Sequence, residues 1–164
     1  MTTLKESISR SAKGLEAALA AEMEGMDYCL DWKPNSQEWS AREILWHVLE
    51  DPEGGIPRAI RGILDGSLPE LTIIADETHM TPIREAMDLE TIRSYVKDFF
   101  DDLWEVLKNA SNTDLTSKKT SCWFPSINYR EERTPQNLLE GLFLRHWNEH
   151  VKQLASIRQS LEMD

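Results

Sequence analysis

The stretch that decides the fold is residues 138–161, LLEGLFLRHWNEHVKQLASIRQSL. At about 3.6 residues per turn its apolar residues fall on one stripe, which is typical of a helix that faces a core. His146 and His150 occupy positions in that stripe where leucines would be expected, and their i, i+4 spacing lets both rings converge on one point. Burying unpaired imidazoles is costly, so a metal ion or hydrogen bonds must satisfy them. The stripe consists of Leu139, Leu142, Phe143, His146, His150, Leu154, Ile157 and Leu161.

The composition excludes several classes of function. The chain has 164 residues, which suits a single domain over 1–164, and a formal charge of −11 with a pI near 4.8. This charge would repel nucleic acids and anionic membranes. No apolar run is long enough to cross a membrane, and residues 1–14 lack the apolar segment of a signal peptide. We therefore expect a soluble, cytoplasmic protein in which Cys29 and Cys122 are free thiols.

The second predicted helix has the clearest start signal. Ser40 is a good N-cap, Glu43 three residues later completes a capping box, and Trp39 is placed to pack on Ile44 across the first turn. The helix is therefore predicted to begin at Ala41.

The helices in the first half of the chain differ in regularity. Apolar residues at steps of three and four predict one long helix over residues 4–29. The second helix meets DPEGGIP at residues 51–57, and two prolines with two glycines should kink or interrupt it before residues 58–64 resume.

Two further helices complete the architecture. Asp88 can cap a regular helix over residues 89–110, and Thr134-Pro135 is an N-cap followed by the residue preferred at the first helical position of the last helix. Residues 65–87 and 112–133 show no sustained period and no convincing alternating strand, so they are predicted to be long connections. The expected fold is all-α, a four-helix bundle with long crossover connections.

Three of the four histidines could form one site. His47 lies early in the second helix, His146 and His150 lie on the inner face of the last helix, and bundles commonly build metal sites from facing helices. Hydrogen bonds to neighbouring side chains or water are the alternative partners for these rings. His79 lies in a connection, where we expect a surface histidine.

Residues 146–150 also match His-x-x-Glu-His, the inverted zinc-protease motif with a glutamate as general base. Such enzymes take a further ligand from well downstream, and here residues 151–164 are all that follow. Glu149 is also displaced from the stripe that carries both histidines. We therefore interpret Glu149 as a solvated residue beside the stripe.

Two blocks resemble the DinB-like (YfiT-like) four-helix bundles. WSAREILWHVL at residues 39–49 is similar to the Trp-Ser…His block that opens their second helix, and LFLRHWNEHVKQL at residues 142–154 is similar to their His-x-x-x-His block, followed by an arginine such as Arg158. The order of the histidines and the number of helices extend the resemblance over nearly the whole chain. The interruption from Pro52 to Pro57 departs from the smooth second helix of that family.

The resemblance implies a divalent metal ion, zinc, nickel or iron, held by His47, His146 and His150, with an open position for water or a thiolate. Relatives in that family include thiol-dependent transferases and isomerases that use low-molecular-weight thiols. The implied function is metal-dependent transfer, isomerisation or hydrolysis on a small electrophilic substrate, with no catalytic side chain assigned. The alternative is a non-catalytic metal-binding or stress-related interaction bundle.

A ligating imidazole needs its second nitrogen held by a carboxylate, carbonyl or amide. Gln153 projects close to the histidine stripe, and Glu50 and Asp51 lie one turn beyond His47, so these three side chains are candidates.

Apolar residues outside the four internal stripes predict an association between two copies of the chain. Trp46, Trp104 and Val151 are such residues, and together they could form a patch of interface size. We expect a symmetric homodimer, because two-fold pairing is the commonest way for one patch to bury itself.

Overall fold

The computed structural model describes residues Met1–Asp164 and begins with helix α1, Leu4–Met23. Thr3 caps α1, and its hydroxyl accepts a hydrogen bond from the backbone N–H of Glu6 in a full capping box. The helix is shorter than the predicted 4–29. Gly25 adopts a left-handed conformation with φ +74°, which ends a helix readily, and a single 3₁₀ turn follows.

The second predicted helix is two helices in the structure, α2 (Ala41–Glu50) and α3 (Ile56–Asp65). The predicted start is confirmed, because Ser40 and Glu43 form the capping box. The predicted interruption is also confirmed. Helix α3 resumes two residues earlier than expected and carries a proline in its first turn, where the missing N–H costs nothing.

The connection before the third long helix contains two short elements. They are strand β1 (Glu70–Thr72) and the one-turn helix α4 (Pro82–Glu85). Helix α5 (Leu89–Asn109) follows, and the carboxylate of Asp88 accepts from the backbone N–H of Thr91 at its start, as predicted.

The second connection is more ordered than predicted. It contains helix α6 (Asn112–Ser117) and strands β2 (Thr120–Phe124) and β3 (Tyr129–Arg133). Strand β2 pairs in parallel with β1 and antiparallel with β3, so the two long connections meet in one three-stranded sheet. The absence of strands was a wrong prediction. The strands are short, and β3 buries no side chain, so no apolar alternation marks it.

The last helix starts at the predicted Thr134 cap but is not α-helical throughout. A short helix α7 (Pro135–Leu138) runs into a π-helical segment (Leu139–Arg145) and then into α8 (His146–Ser160). A π segment adds a residue to the turn and changes the phase of the residues that follow it. Such segments are common next to functional sites, and this one ends directly before His146.

Helices α1, α2 with α3, α5, and the last helix form the predicted four-helix bundle around one continuous apolar core. Trp46 was predicted to face outward and is instead buried in this core, where its ring packs edge-on against Tyr95 and under the guanidinium of Arg84. Helix α2 is covered on nearly every side, so its outer face is not free. Trp104 and Val151 are half-buried, and the homodimer stays a prediction. None of the helices combines the length and apolar composition that a membrane crossing requires.

Candidate metal site

The structure brings the three predicted histidines together. His47 projects from α2, and His146 and His150 project from the first turns of α8. The Nε2 atom of His146 lies 3.1 Å from Nε2 of His47 and 3.0 Å from Nε2 of His150. One ligand atom from each ring lies within 4.8 Å of the others, so the three rings surround a single point.

Hydrogen bonds on the far side of two rings fix which nitrogen carries the proton. The Nδ1–H of His47 donates to the backbone carbonyl oxygen of Glu77 at 2.5 Å, and the Nδ1–H of His150 donates to the side-chain oxygen of Gln153 at 2.9 Å. A neutral imidazole carries only one proton. Both rings therefore present an unprotonated Nε2, with its lone pair, toward His146.

Burial keeps these rings neutral. It lowers the pKa of His47 and of His146 to about 4, and it also lowers the pKa of His150. The neighbouring imidazoles add to the effect at His47 and His146, because each ring disfavours a second positive charge beside it. Near neutral pH the cluster therefore consists of three uncharged imidazoles, the protonation state in which histidine binds metals.

The close contacts of His146 test whether a cation fits this cluster. A neutral His146 can donate its single proton to one neighbour at most, so at least one of its two short Nε2 contacts places two lone pairs against each other. The Nδ1 atom of His146 is buried without a hydrogen bond of good geometry, and the backbone carbonyl of Leu142 is close enough to the ring to raise its pKa slightly against the larger effect of burial. The Nε2 atoms of three neutral rings therefore converge with at most one proton among them, an arrangement that fits a cation and does not fit a full set of hydrogen bonds. The residues present therefore suit a divalent metal ion.

The three candidates for orienting the rings have different positions. Gln153 binds the Nδ1 of His150, as predicted. Glu50 instead pairs with Arg84 at 3.0 Å and does not reach a histidine. Asp51 was predicted to hold the second nitrogen of His47, but Nδ1 of His47 donates its hydrogen bond to the carbonyl of Glu77 instead. Sequence reasoning missed this carbonyl, since nothing in a sequence marks which backbone oxygen of a distant loop will meet a ring.

Two further aromatic residues lie near the cluster. His79 was predicted at the surface but is half-buried, and its ring centroid lies 6.5 Å from that of His47. It is not among the three convergent ligands. Trp39 stacks on His150 with ring centroids 6.0 Å apart and tilts against His47 at 4.8 Å. The sequence contained one signal for these contacts: Trp39 directly precedes the Ser40 cap and therefore lies at the N-terminal end of the helix that carries His47.

Both cysteines are free, buried and remote from this chemistry. Burial raises the pKa of the thiols of Cys29 and Cys122, so both are protonated near neutral pH. The expectation of free thiols is confirmed.

The histidines open into a cavity of about 820 Å³. One part of its wall is apolar and includes Ile74 and Ile127, two of the few large apolar side chains exposed on the molecule. The cavity is lined by no lysine or arginine. Its ionisable residues other than histidine are all acidic, namely Glu38, Asp51, Asp76 and Glu149.

In comparisons with known proteins, no protein-family model and no curated protein matches the chain. A solved structure, YfiT from Bacillus subtilis, is similar to it with a TM-score of 0.74 and 16% sequence identity, over 98% of this chain and 89% of YfiT. YfiT is described as a probable metal-dependent hydrolase with an unusual four-helix bundle topology. At this identity the likeness establishes the fold. It confirms the four-helix bundle and its resemblance to YfiT-like bundles.

Proposed function

We propose that this protein is a metal-dependent hydrolase of small molecules, with a divalent ion held by His47, His146 and His150. The observation that carries the proposal is the convergence of three neutral imidazole nitrogens whose lone pairs face one another. YfiT, with the same fold, is described as a probable metal-dependent hydrolase, and this agrees with the proposal.

The protein groups around the site prepare it for this chemistry. A bound divalent ion would lower the pKa of water toward neutrality, which supplies a nucleophile without a strong base. The carbonyl of Glu77 and the amide of Gln153 hold two rings in the tautomer that binds metal. Trp39 stacks on the face of His150 and lies tilted against His47, and these contacts restrict the rotation of both rings.

The charge of the cavity favours water over a thiol as the nucleophile. Four carboxylates line the cavity without a lysine or arginine, so a divalent ion would still leave a negative balance. A thiol that carries carboxylates, such as a small peptide thiol, would be repelled by these charges, by on the order of 1 kcal/mol or less for each like charge at ~8 Å, because three of the four carboxylates are exposed and salt screens them. Water carries no such penalty. We therefore place hydrolysis ahead of thiol transfer.

The same charges define the substrate. We infer a neutral or cationic ester or amide with an apolar part that packs against the wall containing Ile74 and Ile127. Metal-loaded protein should hydrolyse a neutral p-nitrophenyl ester faster than one of equal length with a terminal carboxylate. The double substitution Glu38→Gln and Asp76→Asn should reduce the difference between the hydrolysis rates of the two esters. The control Glu90→Gln with Asp98→Asn makes the same change in net charge outside the cavity and should leave it unchanged.

Metal content tests the site itself. Protein purified without a histidine tag should bind about one equivalent of zinc, nickel or iron, measured by elemental analysis after removal of loosely bound ions. The substitution His146→Leu should abolish the uptake. His79→Asn is the matched control, because it removes a nearby histidine at a position with φ +58°, where asparagine is well tolerated. Less than about a tenth of an equivalent in the wild-type protein, with no uptake of added metal, would leave the non-catalytic interaction bundle as the better function.

A further inference from the structure

Asp51 is a buried carboxylate without a partner. It follows the last residue of α2, its residue exposure is 5%, and it lines the cavity beside His47. The protein donates no hydrogen bond to its carboxylate, whose oxygens open to the cavity, and its pKa is raised by burial and then by the like charge of Glu77. Buried carboxylates are normally paired, hydrogen-bonded or bound to a metal, because desolvation strongly penalises an isolated charge.

The carboxylate faces the metal side of the histidine cluster. Its Oδ2 atom lies 3.9 Å from Nε2 of His47, the nitrogen that points to the common centre, and not beside Nδ1. The contact is not an ion pair, because His47 is neutral and its only proton is on Nδ1. A carboxylate lone pair and an imidazole lone pair therefore face each other across this gap, as the histidine nitrogens do.

We propose that Asp51 belongs to the metal site, where its carboxylate compensates the charge of the ion held by the three histidines and raises the affinity for it. This inference rests on the proposed function, since it requires that a metal binds. Carboxylate oxygen is an ordinary partner of zinc, nickel and iron beside imidazole, and no lysine or arginine lines the cavity to neutralise the charge of Asp51. Three imidazoles alone would leave both charges of a divalent ion uncompensated.

If Asp51 compensates the charge of a metal ion, its substitution should have opposite effects on the metal-free and the metal-loaded protein. Without metal, the carboxylate is largely buried, reaches only the cavity and receives no hydrogen bond from the protein, so Asp51→Asn should not lower the stability of the metal-free protein and should raise it. With metal, the same substitution removes the compensating charge, so it should weaken binding. If Asp51 were needed only for folding, its substitution would lower the stability of both the metal-free and the metal-loaded protein.

The experiment compares Asp51→Asn, Asp51→Ala and Glu149→Gln with the wild type. Glu149→Gln is the matched control, because it removes one carboxylate from the same cavity at an exposed position. Affinity for Zn²⁺ and Ni²⁺ is measured by competition with a chelator of known affinity, and thermal midpoints are recorded in excess chelator and in excess metal. We expect both Asp51 variants to bind roughly 10–100-fold more weakly than the wild type, and Glu149→Gln to differ by less than about threefold. The metal-free midpoint of Asp51→Asn should equal or exceed that of the wild type.

The results that would contradict the proposal can be distinguished from one another. If the wild type takes up no metal, the proposed function fails and this inference fails with it. If the wild type binds metal and both Asp51 variants bind equally well, the histidine site stands and the role of Asp51 is overturned. An equal loss in Glu149→Gln would show that only the net charge of the cavity matters. A fall in the metal-free midpoint of Asp51→Asn would show a structural role and would also overturn the inference.

Discussion

The last helix carries two neighbouring surfaces that satisfy their side chains in different ways. Trp147 is buried among aromatic rings, with ring centroids 4.5 Å from Phe99 and 5.1 Å from Phe143. His146, one residue earlier, faces two imidazoles whose lone pairs it cannot all satisfy. We call these surfaces the aromatic cluster and the histidine cluster. The residues that stabilise the core and the residues of the candidate metal site therefore lie on different faces of one helix. Substitutions in the aromatic cluster should change the stability of the protein, and substitutions in the histidine cluster should change its metal binding.

The largest expected effect on stability belongs to the aromatic cluster. Trp147→Ala removes a fully buried ring from the core and should lower the free energy of unfolding of the metal-free protein by about 3–5 kcal/mol. Urea denaturation in excess chelator measures it. Trp147→Phe is the control, because it keeps an aromatic ring and removes an indole N–H that has no hydrogen-bond partner, so it should cost less than about 1.5 kcal/mol. Equal losses in the two variants would mean that an aromatic ring at this position does not stabilise the core.

The histidine cluster should make the metal-free protein sensitive to acid. The pKa of His47 and of His146 is about 4 in the folded chain against 6.5 when unperturbed, so the unfolded chain binds more protons between these values. Stability should therefore be full above about pH 6.5 and fall as the pH drops toward 4. Burial raises the pKa of Asp51 to about 6, so its protonation in the folded chain opposes the fall.

Two histidines outweigh one aspartate, and the net loss between pH 6.5 and 4 should be on the order of 3–4 kcal/mol. Denaturation midpoints at several pH values, with chelator present, measure it. Other carboxylates also titrate in this range, so the informative quantity is the difference between wild type and His146→Leu. A difference that stays constant with pH would show that His146 does not titrate as its burial implies.

His146→Leu should have a much smaller effect on stability at neutral pH. It replaces an imidazole with two unfavourable nitrogen contacts by an apolar side chain, so the metal-free protein should keep its stability or gain up to about 1 kcal/mol. The same urea titration at pH 7 checks this. A variant that does not fold would give the histidine a structural role and would remove the distinction between the two clusters.

Local signals made the bundle predictable. The caps at Ser40, Asp88 and Thr134 depend on residues at most three positions apart, and each helix start appears where they place it. The histidine cluster was predictable for a related reason. The i, i+4 spacing fixes the relation of His146 to His150, and only the position of His47 required tertiary structure.

Features that depend on distant contacts could not be read from the sequence. Trp46 is buried because other segments cover α2, and the sheet exists because two separate connections meet. The carbonyl of Glu77 reaches His47 across 30 residues of chain. The orientation of Asp51 toward Nε2 of His47 depends on how the chain turns after α2, and sequence spacing placed Asp51 only within one turn of His47.

A comparably small effect is expected at the cap of α2, the helix that carries His47. The hydroxyl of Ser40 accepts from the backbone N–H of Glu43 at 3.2 Å, so Ser40→Ala should cost about 1 kcal/mol of stability. Thr3→Ala removes the equivalent bond to Glu6 at the start of α1, away from the cavity, and should cost a similar amount. Neither substitution removes a ligand, so both variants should keep the metal affinity of the wild type within about threefold. Metal competition and urea denaturation on the same samples measure both quantities. A loss of affinity in Ser40→Ala alone would show that the start of α2 also holds His47 in place, and the histidine cluster would then share the local order that stabilises the bundle.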